Sequence, residues 1–226
     1  MTETSLKNKE VKLLNSGLLR LIDWMGSDLS ISRNARVSYD AEGRPEDEKL
    51  ISYLMENGHN TPFESATITF EIKAPIFVFR QWHRHRTQSY NELSARYREL
   101  PADFYVPDIS QITTQSTDNK QMKTDQVNPM AEEIREAIIE SNVNAFTIYR
   151  NMLAEGCPRE IARSVLPVGT YSHMFATANL QNWYRFLGER LHPHAQYEIR
   201  IYAKAILDFL EKLYPLSTKA FKNSIK

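Results

Sequence analysis

The run Arg84-His85-Arg86-Thr87-Gln88-Ser89-Tyr90-Asn91-Glu92-Leu93-Ser94-Ala95-Arg96 places three guanidiniums among hydroxyls, amides, an imidazole and one carboxylate. Guanidinium forks suit bidentate contact with a phosphate or with the edge of an acidic heterocycle. If the second half of the run is extended, Glu92, Ser94 and Arg96 fall on one side and Leu93 and Ala95 on the other. That order gives an acceptor, a hydroxyl and a cation in a row, as a polar ligand requires. The plain alternative is a solvated charged turn. Five arginines lie from Arg80 to Arg98, yet the formal net charge of the chain is zero. A local cationic patch on a neutral protein favours a small anionic ligand over a nucleic acid or an anionic membrane.

Other chemistries find little support. With seven glycines in 226 residues there is neither a G-x-G-x-x-G nor a Walker loop, so phosphate must be held by arginines or helix ends. His83 and His85 form an H-x-H pair, but Arg84 and Arg86 beside them disfavour a divalent cation, and no metal site is expected. The single cysteine, Cys157, excludes an intramolecular disulfide and fits a reducing compartment. It lies where a loop enters a helix, which can lower a thiol pKa, but no activating partner is evident, so it is not expected to act as a nucleophile. Ser89 and Ser94 lack a visible histidine–carboxylate relay.

The elements that must hold these residues follow from pattern. Residues 1–10 are polar and expected to fray. Val11 to Trp24 reads as strand segments around a Ser16-Gly17 turn. Asp28 is placed to cap a helix over Leu29 to Val37, carrying Arg33 and Arg36 and reaching toward Ser38. A second helix runs from Pro45 to Met55 and stops at Asn57-Gly58; residues 59–64 then form a loop. Ala66 to Lys73 alternates strictly, as a half-buried strand does. Pro75 starts a helix through Trp82, which brings Gln81 and Arg84 to one face. Residues 108–128 are polar and aperiodic, as in a surface loop. Helices are expected over Pro129 to Glu155, Pro158 to Val165, Asn179 to Leu191 and His194 to Tyr214. The result is a single α+β domain over residues 1–226, with an antiparallel-type sheet flanked by helices and a helix-rich second half. No apolar run approaches the ~20 residues of a membrane helix. The residues ahead of the first periodic segment do not read as a secretory leader, so the expected location is cytoplasmic.

The order R-H-R-x-x-S-x-N-E-x-S-x-R from Arg84 to Arg96 closely resembles the signature of the flavin-dependent thymidylate synthases, with every fixed position filled. Three further stretches are similar to elements of that family: His59-Asn60-Thr61-Pro62-Phe63-Glu64, Cys157-Pro158-Arg159-Glu160-Ile161-Ala162-Arg163, and Asn179 to His194. The resemblance implies reductive methylation of dUMP to dTMP, with methylenetetrahydrofolate as carbon donor and FAD, reduced by NADPH, as hydride carrier.

It implies further that Gln81, Arg84, Glu92, Ser94, Arg96, Arg163 and Arg190 bind dUMP, with Arg190 polarising the pyrimidine. For FAD it implies His59, Thr61, Arg84, His85, Arg86, Thr87, Glu92, Asn179, Gln181, Arg185 and His194. Gln181 and Arg185 depart from the residues common in the family. A homotetramer with sites shared between subunits is implied as well, and exposed strand faces and amphipathic helices suit assembly. Two other classes carry the same arginine cluster: a flavin-independent nucleotide transferase, and an RNA-binding module in which Trp82, Tyr90 and Tyr97 would stack on bases.

Overall fold

The computed structural model of the chain describes residues 6–37 and 47–225. The predicted strand pair is β1 (Glu10–Leu13) and β2 (Gly17–Met25), joined around the Ser16-Gly17 turn. The expected fraying does not extend to residues 6–10. Leu6 is buried, and the Asn8 N–H donates to the Leu21 carbonyl at 2.7 Å. Helix α1 (Asp28–Ala35) is capped by Ser27, a correction to the expected Asp28 cap. Ser27 Oγ accepts from the Ser30 N–H at 3.3 Å, and Ser30 Oγ accepts from the Ser27 N–H at 2.7 Å, a reciprocal capping box.

Helix α2 (Asp47–Glu56) follows; Ser38 and Pro45 lie outside the described residues. Residues Thr61–Ser65 wind into a 3-10 turn rather than an open loop, with Pro62 in its first turn. Strand β3 (Thr67–Pro75) keeps the predicted alternation, with Ile68, Phe70 and Ile72 fully buried. Helix α3 (Ile76–Trp82) starts directly behind Pro75, which leads into the signature stretch and its short strand β4 (Ser89–Glu92).

Residues 108–128 differ from the expected loop. They hold β5 (Thr113–Gln115) and β6 (Lys123–Val127), paired as a separate two-stranded sheet. Helix α4 (Ala131–Ala154) ends at Gly156, whose φ of +81° suits a residue without Cβ. Helix α5 (Arg159–Ala162) runs into a 3-10 turn over Arg163–Val165. Strand β7 (Tyr171–Asn179) and helix α8 (Pro215–Ser224) were not expected; between them lie α6 (Leu180–Arg190) and α7 (Tyr197–Leu213). Helix α7 starts three residues after His194, because residues 192–195 close a turn in which the Ala195 N–H donates to the His192 carbonyl.

The main sheet has the order β1-β2-β3-β7-β4, with every neighbouring pair antiparallel. The fold is α+β. One face of the sheet packs against α3, α6 and α7, with Trp82, Trp183, Phe70, Phe186 and Tyr202 fully buried between, and α8 lies against α2 and α7. Each such side chain contributes on the order of 2–3 kcal/mol through burial, so this layer dominates the cohesion of the fold. The carboxylate of Asp28 reaches α8: it accepts from the Leu216 N–H at 2.8 Å, the Ser217 N–H at 3.0 Å and the Ser217 hydroxyl at 2.6 Å. The residue expected to cap the nearest helix instead caps the last one.

Candidate active site

The signature stretch begins where α3 ends, and the geometry there is set by backbone carbonyls at and just past the helix C-terminus, which accept from side chains as well as from backbone N–H groups. The Tyr90 hydroxyl lies 2.8 Å from the His85 carbonyl and 3.1 Å from the Trp82 carbonyl, which ties β4 to the end of α3. Gln88 turns inward, its Oε1 accepting from Trp82 Nε1 at 3.1 Å. These inward anchors push Arg84, Arg86 and Thr87 outward, and all three are exposed. The His85 ring is buried, packed edge-on against Phe186 at 4.8 Å.

Arg190, the last residue of α6, meets this turn. Its Nε donates to His85 Nε2 at 2.9 Å and its Nη2 to the Gln81 carbonyl at 3.3 Å. Its side chain is only 17% exposed, and Glu189 Oε2 lies 3.7 Å from Nη2. Burial, followed by the nearby Arg190 charge, lowers the His85 pKa to about 4 against an opposing pull from Glu189. The imidazole is therefore neutral at pH 7. The Gln81 side chain donates to Gln196 Oε1, a partner that sequence reasoning missed.

On the other side of the same turn, His83 points to β4, its Nε2 4.0 Å from Glu92 Oε2. Glu92 Oε1 accepts from the Ser172 hydroxyl of β7 at 2.8 Å. The expected extension through Ser94 and Arg96 does not hold. Beyond Glu92 the chain turns, with the Tyr97 N–H donating to the Ser94 carbonyl at 3.1 Å and the Arg96 N–H to Ser94 Oγ at 3.3 Å. A serine hydroxyl favours such a local turn over continued pairing. The turn carries Arg96 to α5, where it pairs with Glu160 at 3.1 Å and shares a cleft of about 250 Å³ with Pro158 and Arg159. Arg163, at the end of α5, is exposed. The signature and the Cys157–Arg163 element thus meet, although they lie more than sixty residues apart in the chain.

His59, Thr61, Asn179 and Gln181 lie at the opposite end of α6. Asn179 caps this helix, its Oδ1 accepting from the Asn182 N–H at 2.9 Å. The Leu180 N–H donates to the Ala66 carbonyl at 2.8 Å, which docks the helix start on the 3-10 turn holding Thr61. His59 and Thr61 line a pocket of about 610 Å³ between the end of α1 and this turn. Gln181 carries a buried Oε1 with no partner among the described residues. Eleven positions of helix separate Asn179 from Arg190, about 16 Å at 1.5 Å per residue. Gln181, Arg185 and Glu189, four apart, form a ridge between the two ends. Arg84, Arg86, Arg163 and Arg185 make no side-chain hydrogen bond or ion pair among the described residues. His194 lies in the turn after α6, exposed, its ring edge-on to His192 at 4.6 Å.

A family model described as thymidylate synthase complementing protein matches residues 20–216. The flavin-dependent thymidylate synthase of Wolbachia pipientis wMel is 43% identical over 216 residues, covering 94% of this chain and 76% of that protein. The enzyme of the same name from Thermosipho africanus is also 43% identical, with 94% and 93% covered. The chain belongs to the flavin-dependent thymidylate synthase family. Among solved structures, a UMP/dUMP methylase, PolB from Streptomyces cacaoi, bound with 5-Br dUMP, superposes with a TM-score of 0.86 at 35% identity, covering 94% of this chain and 97% of that one.

In this member of the flavin-dependent thymidylate synthases, the interior of the site rests on residues that pattern alone did not single out. Ser172, Glu189 and Gln196 each touch a predicted residue, but each is separated from it in sequence or occurs as an unremarked polar side chain. Only the H-x-H pair gave a visible signal, and its two rings turn apart: His83 to Glu92, His85 to Arg190. Among the described residues no cluster of three metal-binding side chains occurs. The Cys157 thiol is half-buried beside the small core of Phe146, Tyr149 and Ala162, with Sγ 3.8 Å from the Pro158 carbonyl.

Proposed function

We propose that the chain catalyses the reductive methylation of dUMP to dTMP, with methylenetetrahydrofolate as carbon donor, FAD as hydride carrier and NADPH as reductant. The observation that carries this reading is one guanidinium, Arg190, fixed in place against the turn that carries Arg84 and Arg86, which like Arg163 and Arg185 make no side-chain hydrogen bond or ion pair among the described residues. Kinship with the flavin-dependent thymidylate synthases and with a UMP/dUMP methylase names the ligands that such a set would take. Gln81, Arg84, Glu92, Ser94, Arg96, Arg163 and Arg190 serve dUMP, with Arg96 and Arg163 at its phosphate. Arg190 sets positive charge against the N3/O2 edge of the pyrimidine as negative charge develops there.

The residues present fit a flavin. An orphaned buried acceptor on Gln181, unpaired Arg84, Arg86 and Arg185 for the pyrophosphate, and the pocket beside His59 and Thr61 together offer what a dinucleotide needs. Asn179, Thr87, Glu92, His85 and His194 complete the set. When bound, FAD supplies the hydride chemistry, while the protein orients and polarises. The chain works as one domain over residues 1–226, in the cytoplasm, within a homotetramer; subunit sharing suits a site whose two groups lie at opposite ends of α6. No helix among the described residues is long and apolar enough to cross a membrane.

Tritium release from 5-tritiated dUMP, run with FAD, NADPH and methylenetetrahydrofolate omitted in turn, tests the reaction. Release is expected only with all three, and equal release from flavin-free protein would sink the reading. In the same assay Cys157→Ala is expected to keep substantial activity, because its thiol contacts a backbone carbonyl and a core edge rather than a base. Complete loss in a folded variant would restore a thiolate mechanism.

A further inference from the structure

The His85 ring sits behind Arg190 rather than in the open. A guanidinium has only donors, so the 2.9 Å contact between Arg190 Nε and His85 Nε2 requires that Nε2 be the unprotonated nitrogen. The ring is clamped: Phe186 stands on its edge, Phe186 leans in turn, tilted, against Trp82 at 4.6 Å, and the residue is 9% exposed. Arg190 is held a second time by the Gln81 carbonyl. Both anchors come from the last turn of α3 and its continuation, while Arg190 comes from α6. The two bonds occupy Nε and one edge of Nη2, and Nη1 carries no intramolecular bond among the described residues.

We propose that His85 is a positioning residue, whose neutral ring accepts from Arg190 Nε and thereby aims the Nη1 edge of the guanidinium at the bound ligand. The inference rests on the assignment of Arg190 to the nucleotide and goes beyond it, since it gives His85 a role that does not require its ring to touch flavin. Proton binding and positioning exclude one another here. A proton on Nε2 would replace the acceptor with a donor and set two cations face to face. The charged or titratable groups around the ring are Arg190 and Glu189 from α6, the latter 3.8 Å from Nε2, and Tyr90 from β4, whose hydroxyl binds the His85 carbonyl. Burial and Arg190 outweigh Glu189, which keeps the ring neutral through the physiological range.

Two measurements on the full-length protein test this. In 15N-labelled protein without ligands, the His85 ring nitrogens are expected to stay those of a neutral imidazole from pH 8 to 5.5. A resolved Arg190 Nε–H signal should be present in wild type and lost in His85→Leu. Titration of His85 near its ordinary value, or an unchanged Arg190 signal in His85→Leu, overturns the proposal whatever reaction the protein performs. The second measurement is kinetic. His85→Leu is expected to lower kcat for tritium release about 100-fold, as for a misplaced catalytic group, with a smaller change in KM for dUMP. His85→Gln, which puts an amide oxygen near the lost Nε2, is expected to restore most of the rate. Equal loss in two folded variants, or wild-type kcat in His85→Leu, overturns it. Absence of tritium release from wild type would instead count against the proposed reaction, and leaves the nitrogen measurement to decide the role of His85.

Discussion

Arg190→Ala is expected to lower the turnover of dUMP methylation by about 10²–10³-fold, the loss that follows removal of one preorganised charge at a developing anion. The protein should remain folded and should still bind flavin, because the deleted guanidinium bonds to the end of α3 and not to the main core. Tritium release, read beside the flavin absorbance and circular dichroism of the variant, checks both halves. Near-normal turnover would remove Arg190 from the chemistry. Arg190→Lys should rescue little. A lysine offers one compact ammonium that cannot bond His85 Nε2 and the Gln81 carbonyl while still presenting a free planar edge.

The second large effect concerns stability. Gly17 opens β2 directly under the Tyr202 phenol of α7, whose hydroxyl donates to the Lys73 carbonyl of β3 at 2.6 Å. A Cβ on residue 17 would overlap that hydroxyl and stand 2.7 Å from the Leu13 carbonyl. Tyr202 is fully buried and its ring is rigid, so it cannot swing aside. Gly17→Ala is expected to cost about 3 kcal/mol, combining overpacking with a strained or broken buried hydrogen bond. For a chain of this size that is a drop of roughly 6–12 °C in Tm. A thermal melt decides. If the overlap is the cause, Gly17→Ala with Tyr202→Phe should be more stable than the sum of the two single losses allows, since the nearest clashing atom is gone.

The sequence was legible where side-chain pattern and local structure agree. Strand β3 alternates large apolar residues with polar ones and was read correctly; helical period marked the extent of α4 but not its inner face, where Asn142, Phe146 and Tyr149 are buried while Ile148 is exposed. Strand β7 inverts that code. Its buried side holds Ser172, Ala176 and Ala178, while its outward side includes Phe175, so hydropathy alternates weakly and the strand carries little signal. Helix α8 was missed for a related reason, since its start is satisfied by Asp28, 188 residues away, instead of by a local cap.

For the site, the resemblance of four stretches named the residues, but it could not state their order in space. Nothing local says that Ser94 starts a turn, that His83 and His85 face apart, or that Arg190 comes back to the end of α3. Those are consequences of tertiary packing, which overrides the preferences of a short run.

One consequence of the strand order concerns the timing of synthesis. Strands β3 and β4 are separated by only one short helix in the chain, yet β7 lies between them in the sheet. The ladder that seats Glu92 pairs residues 89–92 with 174–177. Closing so long a loop must precede the pairing that rewards it, which places this step among the slow, non-local events of folding. While the ribosome has made only the first 170 residues, the signature run exists as a peptide without its sheet partner. The binding half that looks most complete when read along the chain is therefore one of the last to acquire a shape.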